Sequence, residues 1–279
     1  MTHYKAGVIG WPISHSLSPR LHGFWLHQMG IEGRYDAVPV EPDELGVFIG
    51  KLADHGYAGV NVTVPHKQAV MEFCDRIEPL AKRIGAVNTI VVEGDGSLTG
   101  SNTDHYGFKQ NLVQSGKITG DMTKGHAVVL GAGGASRAVC TALEELGFST
   151  THLLNRTVEK AEEVADELGG AIRPGPIDSA ADLMDGAGLL VNTTSLGMKG
   201  QKPLEISLDR LPETALVTDI VYNPLMTDLL QQAEARGNPV VDGLGMLLYQ
   251  AIPGFKSWFR PKEEPQVTPE LRDHMLAAL

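Results

Sequence analysis

The sequence predicts an α/β protein of two units, a mixed sheet followed by a doubly wound parallel sheet. Short apolar runs rich in Val and Ile alternate with segments of helical period through most of the 279 residues. In the first third, Gly94, Asp95, Gly96 and Ser97 join two such runs directly, which is the chemistry of a hairpin turn and not of a crossover. Beyond residue 125, each apolar run is separated from the next by helical or loop material, as successive parallel strands would be.

Taken in order, AGVIG (6–10) is the first strand, and Ser18 followed by Pro19 reads as the N-cap and first residue of a helix reaching Met29. RYDAVPV is a second strand, a helix follows Pro42, and GVNVTVP is a third strand. AVNTIVVE and LTGSNTD, on either side of the hairpin turn, complete the mixed sheet. The polar stretch 116–125, GKITGDMTKG, breaks the pattern and marks the approach to the second unit. HAVVLGAGGASRAVCTALEELG then reads as strand, tight turn and amphipathic helix, and THLLN, GLLVNTT, ALVTDIVYN and PVVDG as further strands. The tail from Leu244 to Leu279 returns to helix. Pro253 should kink or interrupt the first tail helix, and Thr268 with Pro269 should cap and start the last.

Composition narrows the class of partner. Apolar residues at 42% and charged residues at 20% are ordinary for a globular chain. Asp and Glu number 34 against 23 Lys and Arg, net −11, which argues against broad contact with nucleic acid or an anionic membrane. An anionic ligand must therefore be met by local positive charge. Cys74 and Cys140 alone make no disulfide framework and read as small buried side chains in a reducing compartment. No apolar run reaches the roughly 18 residues of a spanning helix, and the opening MTHYKAGVIGWP lacks a signal peptide's apolar core, so a cytoplasmic location is expected. No spacing of His, Cys and carboxylates suggests a metal.

In VVLGAGGAS, apolar residues run into Gly131, Ala132, Gly133 and Gly134 at a helix start, which would aim backbone N–H groups and the positive helix end at a pyrophosphate. The spacing is GxGxxS, with Ser136 where Gly or Ala is usual. The next strand ends in Asn155, Arg156 and Thr157, with Lys160 one turn on and no acid where an NAD ribose would be gripped. Arg156 and Lys160 would attract a 2′-phosphate and Thr157 would hydrogen-bond it, so the expected cofactor is NADP.

Three polar clusters fall at strand ends or loops of the first unit: Ser14, Ser16 and Ser18; Asn61, Thr63 and Lys67; and Asn88 with Asp104. Singly, each has a plainer reading, Ser18 as a helix cap, Asn61 and Thr63 as sheet-surface residues, Lys67 as a solvated lysine. Beside a nicotinamide site they acquire another. Hydride reduction of a carbonyl leaves an alkoxide that needs a proton, and a Lys held by an Asp is a suitable acid.

Nine blocks in order, SHSLSP (14–19), NVTVPHK (61–67), GAVNT (85–89), NTD (102–104), GAGGAS (131–136), NRT (155–157), NTTSLGM (192–198), DIVYNP (219–224) and DGLGML (242–247), make the sequence resemble the shikimate dehydrogenases nearly end to end. The resemblance implies an N-terminal mixed-sheet substrate domain, 1–104 with 242–279, and a Rossmann-type dinucleotide-binding domain, 105–241, with substrate in a cleft between them. It implies reversible NADPH-dependent reduction of 3-dehydroshikimate to shikimate. By matched position, Lys67 and Asp104 are its catalytic pair, meeting opposite the glycine turn. Ser16, Ser18 and Tyr222 hold the substrate carboxylate, and Thr63, Asn88 and Gln250 its hydroxyls. Gly131, Ala132, Gly133, Gly134 and Ala135 form the pyrophosphate turn. Asn155, Arg156, Thr157 and Lys160 take the adenosine phosphate, and Ile220 and Gly243 flank the nicotinamide. His105 and Tyr106 depart from the small residue common after NTD, and Pro253 from the usual helix. Rival readings are a quinate-oxidising relative using NAD, a non-catalytic sensor on the same fold, and an oxidoreductase for an unrelated substrate. Assembly is left open, a homodimer among the options.

Overall fold

Two six-stranded sheets organise the computed structural model, which describes residues 4–279. The chain divides into unit 1, Met1–Thr103 with Gln250–Leu279, and unit 2, Asp104–Tyr249.

Unit 1 opens with β1 (Tyr4–Gly10), α1 (Ser18–Gln28), β2 (Gly33–Pro39), α2 (Leu45–Ile49) and β3 (Gly59–Val62). It continues with β4 (Arg76–Ile77), α3 (Pro79–Ile84), β5 (Thr89–Val92) and β6 (Leu98–Ser101). The order is β2-β1-β3-β5-β6-β4. β1 runs parallel to β2 and β3, β5 antiparallel to β3 and β6, and β4 parallel to β6, so the sheet is mixed as predicted. The β5–β6 hairpin turns where Gly96 takes φ +84, a left-handed conformation that glycine adopts without steric cost. Asp95 Oδ1 secures the turn by accepting from Ser97 N at 3.0 Å.

Unit 2 holds α4 (Asp104–Gln114), β7 (His126–Leu130), α5 (Gly134–Glu145), β8 (Thr151–Asn155), α6 (Val158–Leu168) and β9 (Ile172–Pro176). Then come α7 (Ala180–Leu183), β10 (Ala187–Asn192), β11 (Leu216–Asp219), α8 (Asp228–Ala235) and β12 (Val240–Val241). All pairings are parallel, in the order β12-β11-β10-β7-β8-β9. The chain winds outward from β7 to β9, then crosses back to β10 and winds the other way. The carboxyl end of β7 is thus the topological switch point, where open α/β sheets bind ligands. Burial on both faces explains the unbroken apolar runs: Ala127 and Val129 pack in one cluster, Val128 and Leu130 in another.

Two expectations need correction, and one strand was not expected. Ser18 is the first residue of α1 and not its cap; Leu17 holds the cap position and makes no side-chain cap bond. Pro253 lies inside α9 (Leu244–Phe259), which is not interrupted there. A proline in a helix interior costs about 3 kcal/mol, but Leu248, Ile252 and Phe255 are buried around it, each worth roughly 1.5–3 kcal/mol, together with Ala251 and Trp258. β9 was not among the expected strands; its IRPGP carries two prolines, and as an edge strand paired only to β8 it can spare their missing donors. The last helix, α10 (Pro269–Leu276), starts as expected, with Thr268 Oγ1 accepting from Leu271 N at 3.3 Å.

Candidate functional site

Because β1 and β3 are parallel neighbours, the loops leaving their carboxyl ends lie side by side. Trp11 N donates to Val64 O at 3.1 Å and Thr63 N to Ile9 O at 2.9 Å. In the first loop Ser16 N donates to Ile13 O at 3.0 Å, and Ser16 Oγ accepts from Ser18 N at 3.3 Å. In the second, a turn with a cis Val64–Pro65 peptide closes as His66 N donates to Thr63 O at 2.9 Å. His66 is buried with its Nε2 2.8 Å from Val40 O, which anchors the residue before Lys67. Lys67 is half-buried and its carbonyl accepts from Val87 N at 2.8 Å. A Cβ at Gly10 would meet Thr63 Cγ2 at 2.6 Å, so a glycine is required for the two loops to approach.

Asn88 enters the same end of the sheet just ahead of β5, its carbonyl accepting from Val62 N at 2.8 Å. Its side-chain oxygen accepts from Thr103 N at 2.7 Å, Thr89 Oγ1 at 3.1 Å and Thr103 Oγ1 at 3.2 Å. Asn102 Nδ2 donates to Ala86 O at 3.0 Å, so the NTD segment is moored to the GAVNT segment. Ser16, Ser18, Thr63, Lys67 and Asn88 are thereby gathered at one end of the unit 1 sheet, with Gln250 buried in the same unit. Tyr35 was missed by sequence reasoning: its hydroxyl, buried below this group, donates to Asn61 Oδ1. Asp104, buried, opens α4 in unit 2, where a carboxylate suits the positive end of a helix. His105 next to it is buried with Nε2 3.3 Å from Glu145 Oε2, and Tyr106 is half-buried.

In unit 2 the turn after β7 has the form the motif predicts. Gly131 takes φ +98, and a Cβ on it would meet Thr194 Cγ2 at 2.6 Å. Gly133 and Gly134 face open space, with nothing within 4 Å of an added Cβ, and α5 begins at Gly134 with no side-chain cap. An uncapped helix start beneath an exposed glycine turn at the switch point is a cradle for a pyrophosphate. Asn155 braces it: Oδ1 accepts from Ala132 N at 3.2 Å and Nδ2 donates to Thr157 O at 2.7 Å. Arg156, Thr157 and Lys160 are exposed around the start of α6. The residues present fit a dinucleotide carrying a 2′-phosphate. Ile220 and Gly243 are also brought together, since a Cβ on Gly243 would meet Ile220 O at 2.5 Å.

Asp219, at the end of β11, organises the neighbouring corner. Its carboxylate is buried and accepts from Asn192 Nδ2 at 3.0 Å, Val221 N at 2.9 Å and Thr227 Oγ1 at 2.8 Å. Burial raises its pKa, against the opposing pull of those donors. The result is a fixed path for Ile220, Val221 and Tyr222. Burial likewise raises the Tyr222 phenol, which stays a neutral donor.

Residues 8–90 match the family described as shikimate dehydrogenase substrate binding domain, and residues 111–220 that of shikimate / quinate 5-dehydrogenase. The shikimate dehydrogenase (NADP(+)) of Paramagnetospirillum magneticum is 55% identical over 272 residues, 98% of each chain. The structure of shikimate 5-dehydrogenase from Thermus thermophilus in complex with NADP(H) and shikimate is 37% identical, covers 99% of this chain and 100% of its own, and has a TM-score of 0.86. Quinate dehydrogenase from Corynebacterium glutamicum, in complex with NAD, is 27% identical with 99% of both chains covered and a TM-score of 0.89.

Proposed function

As the chain belongs to the shikimate dehydrogenase family, we propose that it catalyses the reversible NADPH-dependent reduction of 3-dehydroshikimate to shikimate, with Lys67 and Asp104 as its acid–base pair. The observation that carries this reading is the assembly at one end of the unit 1 sheet: Ser16, Ser18, Thr63 and Lys67 follow two strands whose loops are fixed to each other by backbone bonds, and Asn88 joins them just ahead of β5. That set suits a small polyhydroxylated acid.

The cofactor, when bound, supplies the hydride. The chain's own residues do the rest. Ser16, Ser18 and Tyr222 would orient the carboxylate, and Thr63, Asn88 and Gln250 the ring hydroxyls. Lys67 would give a proton to the oxygen that gains negative charge as the carbonyl is reduced, and take it back in the oxidising direction; Asp104 would hold that ammonium. Gly131 to Ala135 would receive the pyrophosphate at the start of α5, and Arg156, Thr157 and Lys160 the 2′-phosphate. Asn155 holds the turn that presents them. Ile220 and Gly243 would flank the nicotinamide.

A second reading, oxidation of quinate with NAD, draws on the likeness to the Corynebacterium enzyme. Ser18, without an added methyl, and basic Arg156 favour shikimate and NADP. Both cysteines are free, and no described helix is long and apolar enough to cross a membrane, which supports placing the reaction in the cytoplasm. Nicotinamide absorbance followed with shikimate, quinate or no acid, each with NADP and with NAD, tests the assignment; turnover is expected with shikimate and NADP. Lys67→Ala should cut turnover by about 10²–10⁴ while leaving NADP affinity nearly intact. Unchanged turnover would remove Lys67 from the mechanism.

A further inference from the structure

Tyr35 and Asn61 are buried polar residues that the proposed chemistry does not use, yet they start a chain of hydrogen bonds that ends on a residue it does use. Tyr35 OH donates to Asn61 Oδ1, Asn61 Nδ2 donates to Thr89 Oγ1 at 3.0 Å, and Thr89 Oγ1 donates to Asn88 Oδ1 at 3.1 Å. All four residues are buried. The direction is set at the two amides by groups that cannot reverse, while the Thr89 hydroxyl between them also lies 3.1 Å from Thr103 Oγ1. Asn61 Nδ2 also faces the Asn88 carbonyl at 3.2 Å, which only accepts, so the nitrogen of that amide must lie on the Thr89 side. Asn88 Oδ1 takes a backbone donor, Thr103 N at 2.7 Å, so flipping the amide would set an NH2 against an N–H. Burial lifts the Tyr35 phenol well above its usual pKa, which keeps it a donor at any working pH. The His22 ring lies parallel to the phenol at 3.8 Å and holds its plane.

We propose that Tyr35, Asn61 and Thr89 are positioning residues for Asn88: the one-way chain pins the Asn88 oxygen inward, so that the amide meets substrate with its amino edge and recognises a hydrogen-bond acceptor, a ring hydroxyl or carbonyl oxygen. This deepens the shikimate dehydrogenase reading and rests on it. A chain that works as a unit fails as a unit, and this separates positioning from packing. Losing Thr89's donor would remove one of the three donors on the Asn88 oxygen, and losing Tyr35's would loosen the link before it.

The test is steady-state kinetics on the full chain with shikimate and NADP, for wild type, Tyr35→Phe, Thr89→Val, Thr89→Ser and the Tyr35→Phe/Thr89→Val double variant. Thr89→Val should raise KM for shikimate about tenfold, the worth of one buried hydrogen bond, with KM for NADP within about twofold of wild type. Tyr35→Phe should raise the shikimate KM about threefold, and the double variant no further than Thr89→Val alone. Thr89→Ser, which keeps the hydroxyl, should restore the wild-type value. Equal rises in both KM values, multiplying effects in the double variant, or unchanged shikimate KM values in a wild-type-active background would each overturn the proposal and leave the function standing. Absence of shikimate turnover by the wild type would overturn both. If Thr89→Val does not fold, Thr89→Ala, which also deletes the hydroxyl, takes its place: a selective rise in the shikimate KM sustains the proposal and an unchanged KM ends it.

Discussion

His22 sits fully buried among Trp25, Tyr35, Phe255 and Trp258, and neither ring nitrogen finds a hydrogen-bond partner among the described residues. Burial pushes its pKa down to about 3 from the ordinary 6.5. The unfolded chain therefore binds a proton that the folded chain refuses. This contribution to stability is whole above pH 6.5 and is lost as pH falls from there toward 3, by up to about 1.4 kcal/mol per unit. Denaturant midpoints taken at pH 7, 6 and 5 should fall more steeply for the wild type than for His22→Leu, which cannot titrate; parallel curves would contradict the assignment. Neither His22 nor Tyr35 was legible as part of the site. Tyr35 in RYDAVPV looks like any aromatic in a strand, and nothing in linear order says that its hydroxyl will meet an amide 26 residues later. Ser16, Ser18 and Lys67 stand out as candidates in the sequence because segments following strand ends are where ligands are met.

Elements were readable in proportion to how local their causes are. The turn after β7 depends on the φ of Gly131 and on the start of α5, both set within a few residues, and it was read correctly. β9 and the unbroken course of α9 depend on what packs beside them; the first was passed over, and a rule about proline mispredicted the second. The turn after β8 also carries a local signal: Arg156 and Lys160 are exposed at the start of α6, where cations oppose the helix dipole unless an anion joins them. Arg156→Asp should therefore weaken NADPH binding by about 10- to 100-fold, the worth of a charge-assisted hydrogen bond, and NADH binding by much less. Titration of both cofactors by nicotinamide fluorescence checks this, and equal losses would refute the 2′-phosphate assignment.

At the scale of the whole molecule the charge is −11 while the proposed substrate and cofactor are both anions. Attraction must come from a few basic groups against a repulsive background, and exposed ones are screened as the Debye length shrinks from about 30 Å at 0.01 M salt to about 8 Å at 0.15 M. KM for NADP should rise over that range and KM for NAD rise less; two flat profiles would remove the exposed cations from recognition. The division of the chain has a different consequence. Unit 1 is built from residues on both sides of unit 2, and its late segment supplies the Trp258 indole that donates to Ile90 O at 3.0 Å and fills the notch left by Gly59, together with the Gln266 carbonyl that Trp25 reaches at 3.0 Å. A ribosome reading this message delivers every strand of the parallel sheet before it delivers that indole. The wedge that closes the packing of unit 1 is therefore among the last parts of the molecule to be made, on the same helix that ends unit 2.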